Sequence, residues 1–198
     1  LSNVLLSDAV MFEMLFSKEA SFVVKAYEEF TLQSATSIAE RFGRDTGHIS
    51  RVSSVALEIY DKMKKLHGYK LRERTLLQVS AILQDIGKYV NVRNHALLSY
   101  NTITNLDIVG INDHERLIIA TVCYYHNGNI PSMDSPIYNQ LSQEDRVMVS
   151  KLAAILQISN AINTSHSPKF EQVSVNMKNG KLNIYLTTLK NINLEKWA

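Results

Sequence analysis

Chain breakers are scarce in this sequence, and that scarcity constrains it more than any other feature: 7 Gly and 3 Pro are spread over 198 residues. Few positions force a turn or stop a hydrogen-bonded ladder, so long helices are favoured and architectures of many short strands are disfavoured. A hydrophobic content of 45% supplies enough apolar surface for one good-sized core.

The apolar spacing divides the chain into segments. Ser7 to Phe16 and Ser17 to Phe30 read as two short helices, and Thr31 to Phe42 as a third that ends at Gly43. Asp45 and Thr46 open the clearest helix, with a stripe at Ile49, Val52, Ala56, Ile59, Met63 and Leu66 and a stop at Gly68. The next segment, Arg72 to Asp85, is apolar on most sides, which predicts a helix through the middle of a bundle. Asn94 to Asn105 follows, and then Asn112 with Glu115 three residues later forms a capping pair ahead of Leu117 to His126. Pro131 and Pro136 mark a loop, after which Ser142 opens a last long helix running to about Asn163, with Val149, Leu152, Ala153, Leu156 and Ile162 as core candidates. Beyond Pro168 the period changes to two. Val173, Val175 and Met177, the Asn179-Gly180 turn, and Leu182, Ile184 and Leu186 predict a β-hairpin. The expected fold class is mainly α, a helical bundle with a small C-terminal β-hairpin.

Cys123 is a single cysteine within an apolar run, so a reduced core thiol in a cytoplasmic protein is expected. No stretch reaches the roughly 18 apolar residues of a membrane span. A net charge of +2 gives no reason to expect DNA as a partner. The start at Leu1 without Met and the end at Trp197-Ala198 point to a piece of a longer polypeptide.

The chemistry concentrates in imidazoles and one carboxylate. Asp85 follows Ala81-Ile82-Leu83, and a carboxylate there costs several kcal/mol unless a metal, a cation or hydrogen bonds compensate it. His48 starts one helix, while His95 and His126 lie at a helix start and a helix end, so all four could face one space. A divalent ion that activates water needs such ligands converging from several helices. From the residues alone, ordinary hydrogen bonds at helix ends account for the histidines more simply. Lys88 reads either as a phosphate-binding cation or as a cation at a helix C-terminus. Lys62, Lys64, Lys65, Lys70, Arg72 and Arg74 crowd one helix end and loop; they form either a solvated face or a guide for a polyanion.

The segment Leu83-Gln84-Asp85-Ile86-Gly87-Lys88 resembles the Leu-His-Asp-Ile-Gly-Lys core of the HD phosphohydrolase superfamily, with Gln84 in place of the histidine. That superfamily pattern implies His48 as the upstream histidine and Asn160 in place of a distant aspartate. Gln84 and Asn160 are neutral amides that bind cations weakly, so the resemblance implies a degenerate metal site.

A longer resemblance covers nearly the whole chain. Ser34-Ala35-Thr36, Ala39-Glu40-Arg41-Phe42, Asp45 to His48, Ala56 to Asp61, Leu66-His67-Gly68 and Glu73-Arg74 are similar to the C-terminal half of the exopolyphosphatase and guanosine pentaphosphate phosphohydrolase (Ppx/GppA) family. His95 with Ser99-Tyr100, Val109-Gly110, Tyr124-Tyr125-His126, and Leu152 to Leu156 with Asn160-Ala161-Ile162 continue it.

The resemblance implies an HD-like bundle over residues 31–168, preceded by a helical linker over 1–30 and followed by a β-hairpin extension over 169–198. The catalytic site would belong to a missing N-terminal actin-like domain using Mg, since no Gly-rich phosphate loop is present. No catalytic residue is carried onto this chain. The region would bind polyphosphate or guanosine polyphosphate, form a homodimer or regulate the enzyme, without a cofactor of its own. The rival expectation is a free-standing phosphohydrolase of nucleotide phosphate esters, holding a single Mn, Fe or Zn ion. A third is an interaction module whose degenerate cleft binds a nucleotide signal or a protein.

Overall fold

A computed structural model describes residues 20–163, 170–178 and 180–188. Helix α1 spans Ala20–Arg41, α2 Thr46–Lys62, α3 Lys64–His67 and α4 Leu71–Leu83; a 3-10 turn follows at Ile86–Tyr89. Then come α5 (His95–Ile103), α6 (Asp113–Tyr125), α7 (Pro136–Asn139), α8 (Gln143–Ile162) and the strands β1 (Phe170–Lys178) and β2 (Lys181–Thr188). The molecule is mainly α-helical with a small antiparallel hairpin, in agreement with the sequence reading.

Helix α4 is the axis of the bundle, packed against α1, α2 and α6. Leu76, Leu77, Val79, Ala81, Ile82 and Leu83 are all buried, so its apolar composition on every side is explained by neighbours on every side. Each of the Leu, Ile and Val side chains among them contributes roughly 1.5–3 kcal/mol on leaving water. Around this axis α2 and α6 both lean on α8, whose Val149, Leu152, Ala153, Leu156 and Ile162 are buried as expected.

Local signals account for most element ends. The side chain of Asp45 accepts the backbone N–H groups of Gly47 and His48 to open α2, and Asn112 with Glu115 forms the capping box of α6. Ser142 caps α8 through the Asp145 N–H. Gly68 ends α3 at φ +71, a left-handed conformation that costs glycine little.

Two helix boundaries differ from the sequence reading. The expected break at Thr31 is absent: α1 runs through it, because the Thr31 hydroxyl is buried and donates to the Tyr27 carbonyl one turn back. The helix opened by Asp45 is interrupted at Met63, whose backbone leaves helical geometry before α3 resumes. That offset turns Leu66 out of the stripe, and it is 59% exposed.

The hairpin pairs Val173 with Leu186, Val175 with Ile184 and Met177 with Leu182, the register its alternation predicts. β1 lies on α2, with Val175 buried and its N–H donated to Glu58 Oε1 at 2.8 Å. The expected helix at Ser7 to Phe16 and the Ser17 cap lie outside the described residues, as does Asn179 of the turn.

Candidate metal centre

Asp85 stands where α4 gives way to the 3-10 turn, and it is 4% exposed. The turn is brought against α5 by Gly87: a Cβ there would collide with the His95 carbonyl and come within 2.6 Å of the Ser99 nitrogen. In its absence the Gly87 N–H donates to Ser99 Oγ at 2.9 Å, and that hydroxyl donates to the Gln84 carbonyl at 2.8 Å. Ser99 is fully buried, so it clamps α5 to the end of α4. The first residue of α5, His95, is thereby delivered to Asp85. Helix α6 brings His126 to the same place from its C-terminal end.

The carboxylate is divided between two environments. Oδ1 lies 3.3 Å from His126 Nε2 and 3.5 Å from His95 Nε2, and these two nitrogens are 3.3 Å apart. Oδ2 accepts a hydrogen bond from Lys88 Nζ at 2.6 Å and lies 3.6 Å from Arg44 Nη2. Asp85, His95 and His126 are all buried, and their donor atoms lie within 4.8 Å of one another.

The far side of each ring sets its protonation. His95 Nδ1 is 2.7 Å from the Val92 carbonyl and His126 Nδ1 is 2.5 Å from the Cys123 carbonyl. A carbonyl can only accept, so both Nδ1 atoms carry a proton and both Nε2 atoms face the cluster. Asp85 Oδ1 lies against both of them and has no hydrogen bond. Such a group could hold a metal ion at its centre.

Burial pushes the Asp85 carboxyl up, but the His126 ring and the Lys88 ammonium outweigh it and hold the acid below the usual carboxylate range. Burial lowers the His95 ring from its ordinary value, which keeps it neutral and able to coordinate. The Cys123 thiol, fully buried and donating to the Ser80 carbonyl, is raised well above its ordinary value and is a packing group.

Of the four candidate ligands, the structure brings together three. His48 is buried on the first turn of α2, and it is not among the residues whose donor atoms converge. Gln84 is buried with an Oε1 that accepts no hydrogen bond, and Asn160 is half-buried on the last turn of α8. Arg44 is the participant that sequence reasoning missed. It sits between Gly43 and the cap of α2, where no periodicity points to a long-range partner.

The basic residues divide in the same way. Arg72 forms paired hydrogen bonds to Glu115 and reaches the Gly110 carbonyl at 2.7 Å, and Arg74 is paired with Asp61 at 2.9 Å. Lys62, Lys64, Lys65 and Lys70 are exposed, and among the described residues their ammonium groups form no ion pair. No helix among the described residues is long and apolar enough to cross a membrane.

The family model for domain III of the Ppx/GppA phosphatases matches residues 32–197. That span contains the whole of α2 to α8, the Asp85 cluster and the hairpin, and it agrees with the longer of the two resemblances in the sequence. The chain belongs to the Ppx/GppA phosphatase family, as its domain III.

Proposed function

We propose that this chain is the HD-like C-terminal region of a cytoplasmic exopolyphosphatase-type phosphohydrolase, and that it contributes polyphosphate binding, dimerisation or regulation. In this reading phosphate release is the work of the family's actin-like domain with Mg. Residues 1–30 are the linker to it, residues 31–168 the bundle and residues 169–198 the hairpin extension, with α1 carrying the linker into the bundle without a break.

The observation that carries the reading is the family match over residues 32–197. The exposed lysines at 62, 64, 65 and 70 supply the chemistry, because a polyanion that binds such a surface releases its condensed counterions to the solution. Arg72 and Arg74, tied to carboxylates, position that surface more than they contact a ligand. Guanosine polyphosphates carry the same charge pattern over a shorter length.

Fluorescence titration with long-chain polyphosphate tests this. Binding should weaken steeply with salt, and changing Lys62, Lys64 and Lys65 together to Glu should reduce affinity by about tenfold or more. Absence of binding at low salt overturns the polyphosphate-binding role.

The convergence of Asp85, His95 and His126 favours a second reading, a single divalent ion of Mn, Fe or Zn held by these three residues. They fit one such ion: two imidazole nitrogens and one carboxylate oxygen, each ring fixed by a carbonyl on its far side. A bound ion would supply Lewis-acid chemistry and an activated water for nucleotide phosphate esters. The neutral amides of Gln84 and Asn160 are poor partners for a second ion. Metal analysis of the purified chain, together with phosphatase assay of it and of Asp85→Ala, separates the two readings; a metal-dependent activity abolished by that change favours the second.

A further inference from the structure

Resting on the single-ion reading, we propose that Lys88 limits the strength of the site, so that Asp85, His95 and His126 form an exchangeable sensor of borderline divalent ions rather than a permanent metal centre. The cluster has more than a set of ligand types to recommend it. Asp85 is 4% exposed, and its Oδ1 is directed between two imidazoles without a hydrogen bond of its own.

The other oxygen carries the argument. Lys88 stands three residues after Asp85 in the 3-10 turn, where its N–H donates to the Asp85 carbonyl at 3.0 Å. This tight turn folds the side chain back, and the ammonium donates to Oδ2 at 2.6 Å with only 21% of the side chain exposed. Arg44 adds a second positive charge on the same oxygen at 3.6 Å. An ion entering between Oδ1 and the two rings therefore meets a carboxylate whose charge is already neutralised and whose second oxygen is occupied. Coordination by Asp85 through Oδ1 alone and repulsion from a poorly screened ammonium both weaken the site.

The donor set decides which ions are still held. Two imidazoles and one carboxylate favour Zn, Co or Ni over Mg or Ca, which prefer oxygen ligands. The rings are already locked by the Val92 and Cys123 carbonyls, so loading requires little rearrangement and exchange can be fast.

The test is calorimetric titration of the full chain with Zn, in parallel with the visible absorption of Co. We expect weak reversible binding by the parent protein, about tenfold or more tightening in Lys88→Gln, and affinity close to the parent in Lys88→Arg, which keeps the charge. His126→Ala should remove the Co absorption in every background, and thermal melts establish that each variant is folded. Equal affinity in the parent and Lys88→Gln overturns the role of Lys88 while leaving the ion site standing. Should neither bind Co or Zn at about 1 mM, the ion reading falls with the proposal. If Lys88→Gln does not fold, tighter binding by the longer-reaching Lys88→Met carries the same expectation and its absence the same refutation.

Discussion

Gly87 and Ser99 lie so close that their backbones nearly touch: the Gly87 N–H donates to Ser99 Oγ at 2.9 Å, and a Cβ on residue 87 would stand 2.6 Å from the Ser99 nitrogen. This approach holds α5 against the end of α4. Gly87→Ala must push the two apart, which also moves His95 away from Asp85. The expected result is a loss of about 2–4 kcal/mol in urea unfolding. Ser99→Ala, which removes the clamp without a clash, should cost only about 1–2 kcal/mol.

Glu115 performs two tasks, accepting the N–H of Asn112 in the capping box of α6 and both donors of Arg72. Glu115→Gln keeps the cap and loses the charge. It should cost about 1 kcal/mol, discounted because the Arg72 side chain is 36% exposed. Glu115→Ala loses both contributions and should cost about 2 kcal/mol. Equal losses in the two variants, read from thermal unfolding, would assign the whole effect to the ion pair with Arg72 and none to the cap.

Asp145 supplies a pH dependence whose sign is fixed. Burial alone would raise this acid, but the Ser142 hydroxyl and the His114 ring hold it below its ordinary value. A lowered folded value means that protons favour the unfolded chain. Its contribution is therefore complete above the unfolded value near pH 4 and is lost as pH falls through the lower folded value. In Asp145→Asn the stability curve below about pH 4 should be flatter than in the parent, measured by urea unfolding at a series of acidic pH values.

Val175 is the hairpin's buried anchor on α2, 4% exposed, and its N–H is held by Glu58. Val175→Asp would bury a second carboxylate beside Glu58. The hairpin should undock while the helical signal persists, costing about 2–3 kcal/mol and exposing β1 and β2 to limited proteolysis. An unchanged cleavage rate would mean that the hairpin is held by other contacts.

What was legible in the chain lies within one turn of helix or one pair of strands. The Asn112–Glu115 box, the Ser142 cap, the stop at Gly68 and the alternation that pairs Val175 with Ile184 are set by neighbours three or four positions away or by strict period two. Asp85 was legible for a related reason, since a carboxylate ending an apolar helix must find compensation wherever the helix goes.

Which groups supply that compensation was decided only by the tertiary packing. Lys88, read from the sequence as a phosphate ligand or a helix-end cation, turns back onto Oδ2 of Asp85, and Arg44 arrives beside it from before α2. His95 and His126 close on Oδ1 while His48, on an equally convincing helix start, is not in that group. The break at Met63 and the unbroken passage of α1 through Thr31 belong to the same class. Local patterns specify which face of an element is apolar, whereas the meeting of side chains from different elements depends on how those elements dock, and here that docking turns on Gly87 having no side chain.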